Sequence, residues 1–155
     1  QVSGVDRARR EACPMNAQWI IGAGAFIFFL LGALHLRITV ADMKEPKKFA
    51  PANRALLPAL MNTRIAMRKD VKNFWLSYLG FHFSHSVGLM FYALTVAYCG
   101  IVRPDILADV VVRVAIVAFG ASYVLMSRAF WFVIPLAGSA VGVTLIALGM
   151  AMLYS

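Results

Sequence analysis

Apolar residues fall in four long runs, and polar residues gather outside them. The runs cover about 19–39, 74–98, 107–126 and 129–153. Roughly 20 consecutive apolar residues cross a bilayer as a helix, so each run reads as a transmembrane span. Such spans must satisfy their backbone groups internally, which makes them helical. The pattern predicts an all-α chain: an integral membrane four-helix bundle with one interfacial amphipathic helix. Residues 1–16 form a polar N-terminal tail, and 17–155 form a single four-span membrane domain.

Within the first span, a step of 100° per residue places Gly24, Phe28, Leu31, His35, Thr39 and Asp42 on one face. In the second span, Tyr78, His82, His85, Leu89 and Tyr92 share a face. Ser77, Gly80, Ser84 and Gly88 share another, a small-xxx-small surface that lets helices approach closely. Gly138 and Gly142 repeat that spacing in the fourth span. Trp75, Tyr78 and Tyr98 sit at the ends of the second span, where aromatic side chains anchor helices at the membrane interface. Asp105 is placed to cap the third span, and Asp109 and Arg113, four apart, are spaced to pair or to snorkel. Ser127 and Arg128 are expected to make the tight connection to the fourth span.

The connection over 41–73 breaks the apolar pattern. Pro and Lys make 43–51 irregular, and 53–70 reads as an amphipathic helix with Leu56, Leu57, Leu60, Met61 and Ile65 on its apolar face. Such a helix lies in the interface plane with its basic side on anionic headgroups. Between Arg37 and Lys72 there are nine Lys or Arg against three acids. With Arg128 they place this side in the cytoplasm by the positive-inside rule, and both termini on the outer side. The three arginines of the tail oppose that bias mildly. Residues 1–14 read as an extension ahead of Met15, not as a secretory signal, because the apolar run that follows is too long.

Composition agrees with the pattern: 155 residues, 61% hydrophobic and only 14% charged, with a mean hydropathy of +0.76. The net charge of +8 flanks apolar spans, so lipid headgroups rather than nucleic acid are the expected anionic partner. The two cysteines, Cys13 and Cys99, have no metal-type spacing. Both fall on the outer side, where a disulfide between them is chemically allowed.

All three histidines, His35, His82 and His85, fall inside apolar runs. An ionisable group there is costly and marks a functional site by default. The depths of His35 and of the second-span pair differ by roughly one or two helical turns, so the three imidazoles are expected to converge. Thr39, Asp42, Tyr78, Ser84 and Ser86 are expected around them. Three ligands suit such a site: a haem b clamped between His35 and a second-span histidine, a transition metal (Cu, Zn or Fe) held by His35, His82 and His85, or a hydrophobic ligand such as a quinone, hydrogen-bonded by imidazole. A di-iron carboxylate centre lacks its acids, and Ser84 and Ser86 have no acid for a nucleophilic triad.

Gly32-Ala33-Leu34-His35 with Thr39, then Trp75 and Gly80-Phe81-His82-x-Ser84-His85-Ser86-x-Gly88, resembles a group of uncharacterised small four-span bacterial membrane proteins. The likeness spans roughly 17–150. It implies a four-span fold in a bacterial inner membrane, and it brings no catalytic residue with it.

The expected function is a small membrane subunit or binding protein with a histidine-lined intramembrane site, accessory to a larger redox complex. Its partners are membrane lipids and other membrane-protein subunits or a second copy. One alternative is an oxidoreductase or isomerase acting on a lipophilic substrate with His82 or His85 as the acid–base group, which the lack of a buried carboxylate partner disfavours. Another is a purely structural subunit whose histidines bond across helices. A transporter lacks the expected internal repeats.

Overall fold

The apolar runs fold as predicted, into helices with no strand among the described residues. The computed structural model describes residues 4–66 and 73–154, with side chains from residue 15 onward. Helix α1 spans Gly4–Lys44, α2 Leu56–Asn62, α3 Phe74–Ala97, α4 Val110–Phe130 and α5 Val133–Tyr154. Four segments are long and apolar enough to cross a membrane: Met15–Lys44, Phe74–Val102, Val110–Phe130 and Val133–Tyr154. The protein is thus a multi-pass helical membrane protein. Most large side chains on its helices point outward and are apolar, as with Phe91, Leu125 and Phe130, which suits lipid as the solvent.

Helix boundaries depart from the sequence expectations for local reasons. The stretch expected as a polar tail is helical from Gly4, and the helix runs on through Pro14 into the first apolar run. Pro46 sets the end of α1, since the residue before a proline leaves helical geometry. The predicted amphipathic helix 53–70 shortens to Leu56–Asn62, with Thr63 extended. Asn62 and β-branched Thr63 are weak helix formers, and the Asn62 amide turns back to the Pro58 carbonyl at 2.9 Å. The remainder of that prediction over 67–70 lies outside the described residues. The third span begins later than expected, after a π-type turn at Tyr98–Val102 and a 3-10 turn at Pro104–Ala108. Its cap is Asp109, not Asp105: the Asp109 carboxylate accepts the Val111 N–H at 2.7 Å. Asp105 is taken by Arg103 at 2.7 Å, and Arg113 stacks over the Tyr154 ring at 4.4 Å rather than pairing with Asp109. The tight link between α4 and α5 falls at Trp131 and Phe132, not at Ser127 and Arg128.

The chain divides into two compact units, residues 1–31 with 90–155, and residues 32–89. In the first, segments of α1, α3, α4 and α5 pack as a bundle. Glycines allow the closest approach there. A Cβ on Gly24 would fall 2.6 Å from the Gly142 carbonyl oxygen, and one on Gly149 would fall 2.8 Å from the Ala17 carbonyl oxygen. Phe28 fills the centre, edge-on to Tyr92 with ring centroids 5.2 Å apart. The buried Tyr92 hydroxyl donates to the Ile116 carbonyl at 2.9 Å, tying α3 to α4. Cys99 is a buried free thiol, and Cys13 lies outside the described side chains.

The second unit is built from the last part of α1, the connection that carries α2, and the first part of α3. Its inward positions on α1 include Thr39 and Asp42, both essentially inaccessible. On α3 the buried positions are Trp75, Leu79, Ser86 and Leu89, with His82 in the same row. That seam repeats about every 3.5 residues, the period of helices wound round a neighbour, and it is rotated from the face expected at 100° per residue. Ser86 therefore lies at its centre, and Tyr78 and His85 lie on its flank. The two glycines of the small stripe on α3 face open space among the described residues: nothing lies within 4 Å of a Cβ placed on Gly80 or Gly88.

A histidine cluster roofed by Phe49

The three histidines converge inside the second unit. His35 Nε2 and His82 Nδ1 are 2.9 Å apart, a hydrogen bond in which one neutral ring donates to the other. His85 joins them, its ring centroid 5.7 Å from that of His35. His82 Nε2 is buried with no hydrogen-bond partner among the described residues. If His82 Nδ1 accepts, Nε2 is a buried N–H donor, and if Nδ1 donates, Nε2 is a buried acceptor. Either way one hydrogen-bonding position is unfilled, at a cost of roughly 1–3 kcal/mol for such a group.

The predicted neighbours are present but bond elsewhere. Thr39 Oγ1 donates to the His35 carbonyl at 2.9 Å, and Ser86 Oγ donates to the His82 carbonyl at 2.8 Å. Each hydroxyl thus satisfies itself on its own helix four residues back, at the backbone of a histidine rather than at its ring. Ser84 Oγ likewise turns to the Phe81 carbonyl at 3.0 Å. Tyr78 does meet the cluster, its ring edge-on to His82 with centroids 4.4 Å apart.

Asp42 departs furthest from expectation. Its carboxylate accepts the backbone N–H groups of Lys47, Lys48 and Phe49 at 3.1, 3.1 and 2.7 Å. A buried carboxylate needs such donors, because leaving it unpaired in an apolar setting is prohibitive. Its charge is therefore spent on the loop after α1 and does not orient an imidazole. Asp42 thus does not supply the carboxylate that an oxidoreductase or isomerase would pair with an imidazole.

The loop held by Asp42 carries the residue that sequence reasoning missed. The Phe49 ring lies nearly parallel on His82, with centroids 4.3 Å apart and an interplanar angle of 6°. It is also 5.1 Å from the His35 ring. From the other side of the loop, Arg54 donates to the carbonyls of Pro46 and Lys47 at 2.8 and 3.1 Å. The one sign in the sequence is a lone aromatic in a Lys- and Pro-rich segment, seven residues after the aspartate that follows the first span.

The candidate ligands differ in how they fit. An iron between two imidazoles needs their nitrogens about 4 Å apart, given metal–nitrogen bonds of about 2 Å. The 2.9 Å contact closes that slot between His35 and His82. Among the described residues, no group of three or more His, Cys, Asp or Glu side chains is arranged to hold a metal ion; the three rings meet, but two of their nitrogens are turned on each other. A ligand bonded at His82 Nε2 requires no rearrangement of that pair.

Fold and site together define the chain as a multi-pass helical membrane protein with an imidazole cluster inside one of its units. Comparison with protein-family models, with curated proteins and with solved structures finds no match.

Proposed function

We propose that this chain is a small membrane binding protein or subunit that holds a hydrophobic ligand at His35, His82 and His85, through a hydrogen bond to His82 Nε2. The observation that carries this reading is the buried, unpartnered Nε2 of His82, backed by the 2.9 Å bond to His35. Native structures rarely leave such an atom unsatisfied without a functional reason or a bound group. The His35–His82 bond adds a path by which a proton can pass between the rings as a ligand changes state. Phe49 and Tyr78 supply apolar walls, which match the largely apolar lining of small-molecule sites. In this reading the protein sits in a bacterial inner membrane among lipids and other membrane subunits. The basic 42–73 segment faces the cytoplasm, on the strength of its excess of Lys and Arg.

The test is purification from native membrane, followed by organic extraction and mass spectrometry of wild type and His82→Leu. The expected result is one lipophilic compound near stoichiometry in wild type and lost from the variant. A Soret band, or stoichiometric copper, zinc or iron, would replace the hydrophobic ligand with haem or metal. An empty wild type whose histidine variants fold and assemble normally would leave only a packing role.

A further inference from the structure

We propose that Phe49 is the access-determining residue of the histidine cluster, a shutter laid over His82 and held shut by the loop that Asp42 and Arg54 clasp. The ring covers one face of His82 in a near-parallel stack at 4.3 Å and reaches His35 at 5.1 Å, so a molecule approaching that face of the pair meets Phe49 first. Its position is set by two independent holds. The buried Asp42 carboxylate takes three consecutive backbone N–H groups, that of Phe49 included. Arg54 takes two carbonyls of the same loop. Charge-assisted bonds of this kind are about twice as strong as neutral ones, and together they fix the backbone from which the ring projects. The ring itself is half-buried, and both holds act on backbone atoms of the loop, so a change of the ring's position need not break either of them. A fixed backbone that presents an aromatic cover to the pair is the construction of a gate.

This inference rests on the ligand-site reading for its purpose but not for its test, which needs no ligand. Full-length protein in lipid nanodiscs is treated with diethyl pyrocarbonate, which acylates accessible imidazole nitrogen. The rate at His82 is followed by peptide mass spectrometry, with His85 as internal reference. A shutter open a tenth of the time slows such a reaction by about tenfold. Phe49→Ala is therefore expected to raise the His82 to His85 rate ratio by about that factor. Phe49→Tyr, which keeps the stacked ring, retains protection, and Lys47→Ala, which keeps the backbone N–H on Asp42, leaves the ratio unchanged. Asp42→Asn is expected to fall between. The proposal is overturned by a ratio in Phe49→Ala within about twofold of wild type, by Phe49→Tyr reacting as fast as Phe49→Ala, or by Lys47→Ala opening the site equally. Any of these leaves the ligand-site reading intact, just as an empty site in native membrane leaves these rates untouched.

Discussion

His35 Nε2 meets His82 Nδ1 at 2.9 Å across 47 positions of sequence, joining the last part of α1 to the first part of α3. Removing one ring strands the other, so His35→Leu and His82→Leu are each expected to destabilise the fold by about 1–3 kcal/mol. Replacing both should cost less than the sum. Hydrogen bonds between membrane helices couple by about 0.6 kcal/mol on average and up to about 1.7. A double-mutant cycle on detergent unfolding measures this, and a coupling of zero would mean that the two rings do not bond.

Asp42 holds three N–H groups, and each bond to a charged group is worth roughly 1.5–3 kcal/mol. Asp42→Ala should release the loop, and with it the exposed bonds after Lys47 and Lys48. Trypsin is expected to cut there several-fold faster in the variant (an order-of-magnitude expectation for local opening), whereas Glu45→Ala, which removes only a surface ion pair with Lys47, should cut at the wild-type rate.

Not all glycines in the spans are equal. Gly24→Ala would drive a methyl to 2.6 Å from the Gly142 carbonyl oxygen. Backbone cannot yield cheaply, so a loss of about 1–3 kcal/mol is expected. Gly80→Ala and Gly88→Ala enter open space and should be neutral or gain up to about 1 kcal/mol from helix propensity. Thermal unfolding of the three variants side by side tests the ranking.

Arg103 donates to both Asp105 carboxylate oxygens, at 2.9 and 2.7 Å, and this holds the Asp105 carboxyl below its ordinary value of 3.8. A lowered carboxyl supports the fold above that value and ceases to do so as the pH falls through its own, lower one. Asp105→Asn should thus lower the melting temperature slightly at neutral pH, and the gap to wild type should close as the medium is taken well below pH 3.8. The pair is fully exposed, so salt should also shrink the gap.

Much of this was legible in the residues alone. Period and length place four spans, because the bilayer demands about 20 apolar residues per crossing whatever the tertiary contacts are. The cost of histidine in lipid singles out His35, His82 and His85 as a set, and the spacing of Gly138 and Gly142 marks a close-packing helix face. The errors share a cause. Asp105 and Asp109 are both good caps, and the choice between them fell to Arg103, which took Asp105. The expected histidine face on α3, through Tyr78, His82, His85 and Leu89, and the buried seam, through Trp75, Leu79, His82, Ser86 and Leu89, have the same alternation of four and three residues. They differ by a rotation of the helix about its axis, which turns Ser86 inward and leaves His85 on the flank. The helix face of Asp42 points it toward the imidazoles, and no periodicity reports the bonding needs of an irregular loop.

By itself, then, the sequence determined the membrane class, the four spans and the confinement of every histidine to apolar surroundings, since these depend on composition and local period. Only the tertiary structure decided that His35 and His82 bond to each other, that Asp42 serves the backbone of residues 47–49, and that Phe49 covers the pair. Those outcomes turn on helix rotation and on where buried N–H groups find acceptors, and both are settled only when segments distant in sequence are packed together.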